Sequence, residues 1–153
     1  MSCHRRLSRQ GILRNTNASE KRRLHFEPLE DRRVLSIVVD TLIDENDGTG
    51  VGGVSLRYSI SAARPCATIN FSVAGTIVLH HGELTIYKNL SINGPGAKLL
   101  TIDADGSDRV FLVDDFNAGN LLDVTISDVT ITGGVTAVDG AGIFSRENLR
   151  VER

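Results

Sequence analysis

The sequence predicts an all-β chain, a right-handed parallel β-helix with one short N-terminal capping helix. Three observations carry that expectation. The stretch Glu83 to Asp103, ELTIYKNLSINGPGAKLLTID, holds three short β-prone runs, Leu84–Ile86, Leu90–Ile92 and Leu99–Ile102. Each run places an aliphatic or β-branched residue at every second position, and each connector carries Lys, Asn, Gly or Pro. A similar phrase returns as VTISDVTITGG at Val124 to Gly134. The shift of about forty residues between NLSINGPG at Asn89 and DVTITGGV at Asp128 equals two coils of about 20 residues each. Composition agrees: aromatic residues are 5% and Trp is absent, so Val, Ile and Leu must fill the core, which suits thin stacked strands. A β-sandwich is the alternative architecture, but it uses longer, hairpin-linked strands.

At 153 residues the chain has room for one domain of ordinary size. Its net charge of -2 conceals a split between residues 1–36, which carry +5, and residues 37–153, which carry -7. A basic leader ahead of an acidic body predicts a targeting or surface-interacting segment joined to a folded domain. No apolar run approaches the roughly 20 residues of a membrane-spanning helix, and a standard secretory signal is missing. The two cysteines, Cys3 and Cys66, lie in different parts of the chain and read as incidental thiols, with Cys66 expected in the interior.

Taken in order, residues 1–24 mix Arg, Ser and Asn with little periodicity and read as a disordered basic leader. Nucleic-acid binding is not expected of it, because no aromatic residue precedes Phe26 to stack a base beside the charges. Residues 37–43, IVVDTLI, read as a first strand, and DENDGTGVGG, Asp44 to Gly53, as a solvated acidic loop. That loop fails the calcium pattern of an EF-hand: Gly48 is fifth from Asp44 instead of sixth, and Ser55 stands at the twelfth place. VSLRYSISAARP, Val54 to Pro65, is the one convincing helix, with Leu56, Ile60 and Ala63 on one face, Ser55 to cap its start and Pro65 to stop it. A helix this short must lie on something, and the natural place is the end of a stack of strands. Thr68 to Leu79 gives two strands broken at Ala74-Gly75. After the central stretch come Val110–Val113, Leu121–Ile126, Ala141–Phe144 and Asn148–Glu152. Because NLRVER stops at a strand with no capping element after it, the chain reads as a short or truncated form of a longer stack.

Two strings resemble known families. HFEPLEDRRVLS, His25 to Ser36, resembles the LEPR-XLL sorting-type motif near the start of large exported proteins of planctomycete bacteria. Phe26, Glu27, Leu29, Glu30, Asp31, Arg32, Arg33, Leu35 and Ser36 all fit it, and the resemblance implies an export or envelope address. From IVVDTLIDENDGTG through VSLRYSISAA to VTISDVTITGG and AGIF, the body is similar to the CSLREA-type opening of bacterial surface β-helix proteins. It also resembles the polymorphic-outer-membrane-protein repeats, at Gly140, Gly142 and Ile143. These resemblances imply a pectin-lyase-like solenoid at the cell surface. The chain departs from the name-giving motif at Val54, where Cys is usual, and at Tyr58-Ser59, where Glu-Ala is usual.

Parallel β-helices include polysaccharide lyases and hydrolases, so carboxylate pairs need weighing. Glycoside chemistry requires two carboxylates about 5 to 9.5 Å apart facing one sugar. Asp114 and Asp115 are the best candidates for a carbohydrate or calcium site, and they resemble the paired aspartates of polygalacturonases as His80-His81-Gly82 resembles their Gly-His-Gly. The rest of that constellation, an Arg-Ile-Lys triplet and an Asn-Thr-Asp string, is missing. Asp in tight turns mostly holds backbone N–H groups, and His80 and His81 at a strand end read as surface residues. Asn89, Asn93 and Asn120 read as structural, at corners or in ladders. The expectation is therefore an exported structural or adhesion-type module with no catalysis of its own, no cofactor and no metal. Its expected partners are envelope glycans or surface proteins, and a polysaccharide-processing enzyme or its remnant is the alternative.

Overall fold

Alternating apolar and polar residues make strands whose inward side chains stack in rows, and those rows organise the computed structural model of the chain. It describes residues 36–48, 52–117, 119 and 121–153. In chain order the elements are β1 (Ser36–Val39), α1 (Leu56–Ala62), β2 (Ala67–Phe71), β3 (Gly75–Val78), β4 (Leu84–Ile86) and β5 (Leu90–Asn93). They continue as β6 (Leu100–Asp103), β7 (Phe111–Val113), β8 (Asp123–Ser127), β9 (Thr130–Thr132), β10 (Ile143–Ser145) and β11 (Asn148–Glu152). Every pairing is parallel. The strands form a five-stranded sheet in the order β1-β2-β5-β8-β11 and two three-stranded sheets, β10-β7-β4 and β3-β6-β9.

Register places like residues side by side. Ile37, Ile69, Ile92, Ile126 and Val151 form one inward row of the five-stranded sheet. Ile77, Ile102 and Ile131 align in the second sheet, and Leu84, Phe111 and Ile143 in the third. These rows meet in one hydrophobic cluster, where Ile69, Ile92, Ile102, Phe111 and Ile126 are wholly removed from water. Burying each such side chain contributes about 1.5–3 kcal/mol. Helix α1 packs against β1 and β4 and brings Leu56, Ile60 and Ala63 into the same cluster, as their spacing predicts. Ser55 caps it by accepting from Tyr58 N–H, and the helix ends where Ala63 turns extended, two residues before Pro65.

The expectation of a right-handed parallel β-helix is corrected by this arrangement. The chain forms mainly short parallel strands in three small sheets with little helix, and no solenoid or barrel is detected among the described residues. The even coil fails on spacing. Asn70 pairs with Asn93, 23 residues on, whereas Asn93 pairs with Ser127, 34 residues on. The echo that suggested the repeat joins unlike positions as well: LSIN is β5 of the five-stranded sheet, whereas TIT of DVTITGGV is β9 of a different sheet. Similar residues recur because every inward row needs Ile or Leu, with no fixed period between them.

Smaller differences have local causes. The first strand stops at Val39 instead of Ile43 because Asp40 exchanges bonds with Val54: its N–H donates to the Val54 carbonyl, and its carboxylate accepts from Val54 N–H at 2.6 Å. Cys66 is exposed, has a positive φ and is disulfide-bonded, which corrects its reading as an interior thiol; Cys3 lies outside the described residues. The sorting-motif residues 26–35 also lie outside them, and Ser36 opens β1.

Candidate functional site

The corner from β7 to β8, which leads from the β10-β7-β4 sheet to the five-stranded sheet, gathers a cluster of polar groups. After β7 the chain enters Asp114 and Asp115, and it returns to β8 through Leu121 and Leu122. The loop is held by its own carboxylates. Asp114 Oδ1 accepts from Phe116 N–H at 2.7 Å, and Asp115 Oδ1 accepts from Asn117 N–H at 2.8 Å. Glu147, from the corner between β10 and β11, reaches across: one oxygen accepts from Leu122 N–H at 2.6 Å, the other from Asp115 N–H at 3.4 Å. Arg146 adds its guanidinium 3.3 Å from Asp114 Oδ2. One carboxylate oxygen from each of Asp114, Asp115 and Glu147 lies within 4.8 Å of the others, so among the described residues these three form a group that could hold a cation. Sequence reasoning named the two aspartates and missed Glu147, which is 32 residues from Asp115 and has no local signal.

Beside this acidic corner lies an aromatic cleft of about 340 Å³ on the outer face of the β10-β7-β4 sheet. Leu112 and Phe144 are register partners there. Two guanidinium groups make cation–π contacts with the Phe144 ring, Arg109 at 5.2 Å and Arg146 at 5.7 Å from its centroid. Phe116, 73% exposed, and Val138, 68% exposed, overhang the cleft. A second hollow of about 340 Å³ shares Asp114, Phe116 and Arg146 with it and opens onto Glu147. Apolar rings beside convergent carboxylates and guanidiniums form a surface for a polar ligand with apolar faces.

Arg109 also approaches Glu83: its Nε lies 2.7 Å from Glu83 Oε2, although the N–H is not aligned for a hydrogen bond. Burial pushes the Glu83 carboxyl up and Asp108 adds to the rise, which outweighs the opposing charge of Arg109.

A second polar cluster sits at the helical end. Asp44, read from sequence as part of a solvated turn, is buried, whereas Asn46 and Asp47 are exposed. Arg57 Nε donates to Asp44 Oδ1 at 2.7 Å, and Arg57 Nη2 and the N–H groups of His80 and His81 donate to Oδ2. Burial acts to raise the Asp44 carboxyl. The hydrogen bonds from Arg57, His80 and His81, with the Arg57 charge, outweigh it and hold the group below its ordinary value. The imidazoles of His80 and His81 lie at the surface, as expected, and only their backbone N–H groups are engaged here.

The remaining sequence candidates are structural. Asn89 is buried and accepts from Asp123 N–H at 3.0 Å. Asn93 stands in a ladder on the outer face of the five-stranded sheet, where Asn70 donates to Ser36, Asn93 donates to Asn70, and Ser127 donates to Asn93. Asn120 lies outside the described residues. Among the described residues, no helix is long and apolar enough to cross a membrane.

Comparison with known proteins returns no match: no family model, no curated protein and no solved structure is similar to the chain.

Proposed function

We propose that the chain is an exported, envelope-associated structural or adhesion-type module that contacts glycans or surface proteins and does not transform them. The resemblance of Phe26 to Ser36 to an export address, and of the body to CSLREA-type surface proteins, supports the location. The observation that carries the binding role is the cleft in which Phe144, contacted by Arg109 and Arg146, lies with exposed Phe116, next to the carboxylates of Asp114 and Glu147. A sugar offers an apolar ring face to such aromatics and hydroxyls to the charged groups. Asp114, Asp115 and Glu147 each accept a backbone N–H of the same loop, which fixes its shape and favours recognition over chemistry.

The test is a panel of envelope glycans presented to the chain, with cell fractionation of the native protein. The expected result is envelope location and glycan retention that falls at least tenfold in Phe144→Ala. A cytoplasmic location would remove the export reading. Product formation abolished by Asp115→Asn would replace adhesion with polysaccharide processing.

A further inference from the structure

The sequence contains one Asn-Gly dipeptide, Asn93-Gly94, where β5 of the five-stranded sheet runs into its corner. Such a step is chemically weak, because glycine has no Cβ to shield its amide nitrogen from close approach. Once that nitrogen loses its proton to a solvent base, it can attack the side-chain carbonyl carbon of the asparagine. A C–N bond forms, the ring closes as a cyclic imide, and Nδ2 takes up a proton and leaves as ammonia. Water then opens the imide at either carbonyl, which gives aspartate or isoaspartate. Water is the one co-reactant, and no electrons are transferred.

We infer that Asn93-Gly94 is a deamidation site that the fold holds shut, so that the reaction runs only while β5 is open. Asn93 is exposed to water, so its protection comes from geometry and not from burial. Its side chain is engaged by the strands on both sides. Nδ2 donates to Asn70 Oδ1 of β2 at 3.2 Å, and Oδ1 accepts from Ser127 Oγ of β8 at 3.1 Å. Ring closure instead requires that amide to fold back over the Gly94 nitrogen. The nucleophile is held as well: Gly94 N–H donates to the Ser127 carbonyl at 2.9 Å, which opposes loss of its proton. The corner also has no room to swing, since a methyl group on Gly94 would lie 2.2 Å from the Asp128 carbonyl oxygen. Because β5 pairs with both β2 and β8, releasing the dipeptide means opening the middle of the sheet.

The products do not fit the place they would return to. An ionised aspartate only accepts hydrogen bonds, so it cannot donate to Asn70 Oδ1 as the amide does. Isoaspartate routes the main chain through the former side chain and lengthens the backbone at a corner that has no space for it. That displacement takes Gly94 away from the Ser127 carbonyl. A chain modified while open therefore does not rebuild the same ladder, and the dipeptide keeps a chemical record of the time β5 has spent open.

The inference does not depend on the glycan reading. It is tested on the full chain in mildly alkaline buffer, with peptide mass mapping to follow loss of the Asn93 amide. Loss should be at least tenfold slower in the folded chain than in concentrated urea. Asn70→Ala combined with Ser127→Ala frees the side chain and should speed the loss at least threefold, in a protein shown to be folded by circular dichroism. If that variant does not fold, a series of low urea concentrations decides: loss should rise in step with amide exchange at Ile92. Chains modified in urea should fail to regain the folded spectrum on dilution, while unmodified chains from the same sample regain it. Equal rates in the folded and urea-unfolded chain, a folded ladder variant no faster than the native chain, a rate flat across the urea series, or full refolding of modified chains would overturn the proposal.

Discussion

Asp44 accepts hydrogen bonds from Arg57 and from the backbone of His80, so one buried carboxylate fastens three segments distant in sequence. Arg57 in turn donates to the carbonyls of Gly82 and Glu83, completing the tie between α1 and the approach to β4. Removing Asp44 leaves the mostly buried guanidinium without its counter-charge. Asp44→Ala is expected to lower stability by about 3 kcal/mol, at the low end for a broken buried pair because Arg57 keeps two carbonyl partners. Urea denaturation at neutral pH measures it.

The same carboxylate sets an acid limit. Its value in the fold lies below the ordinary 3.8, so its contribution is complete above 3.8 and is lost as pH falls through the lower folded-state value. Stability should therefore drop on acidification below pH 3.8, and the drop in that window should be smaller in Asp44→Asn. Denaturation midpoints of the two proteins at matched pH provide the comparison.

Leu99 and Leu100 are neighbours of identical chemistry, Leu99 just before β6 and Leu100 its first residue. Leu100 is fully buried and Leu99 is 53% exposed. Leu100→Ala should cost about 2–5 kcal/mol through lost burial and a cavity, while Leu99→Ala should stay within about 0.5 kcal/mol. Thermal unfolding of the two variants side by side would expose any error in the register assigned to β6.

Gly94 sits where the corner after β5 crosses the corner after β8. A methyl group there would lie 2.2 Å from the Asp128 carbonyl oxygen and 2.5 Å from a Val129 methyl. Gly94→Ala should destabilise the protein by about 1–3 kcal/mol, as overpacking does. Gly106, with nothing near its position, is the control for a crowding effect, though its positive φ carries a smaller penalty of its own.

Glu147 holds the loop after β7 through the N–H groups of Asp115 and Leu122. Glu147→Ala should cost about 1.5 kcal/mol, the lower range for hydrogen bonds to a charged group. Amide exchange at Leu122 should accelerate while exchange in β5 is unchanged. Equal acceleration at both would mean that Glu147 supports the whole fold and not this loop.

Strand positions were legible because they rest on local alternation. LTI, LSIN, LTID and NLRVE each show their inward residues in the sequence, and the face of α1 shows in the spacing of Leu56, Ile60 and Ala63. Partnership was not legible. Which strand lies beside LSIN depends on the length of the corner holding Asp114 to Leu122, and a recurring phrase cannot report that length. The acidic site was half visible for the same reason: Asp114 and Asp115 are adjacent, but Glu147 joins them only through the β7–β10 pairing. Asp44 was misread because DENDG has the composition of a wet turn, and its burial comes from Arg57, thirteen residues away.

The uneven spacing of partners has a consequence for how the gene can change. Rows of isoleucine stay aligned while one connection spans 23 residues and the next 34, so changes in length are absorbed at corners. A peptide spliced beside Gly106, where the space is open, should leave every row in place. Deleting a single residue within LSIN would turn Ile92 toward water and bring its polar neighbour inward. Corners are the editable part of this chain, and strand phase is what an edit must preserve.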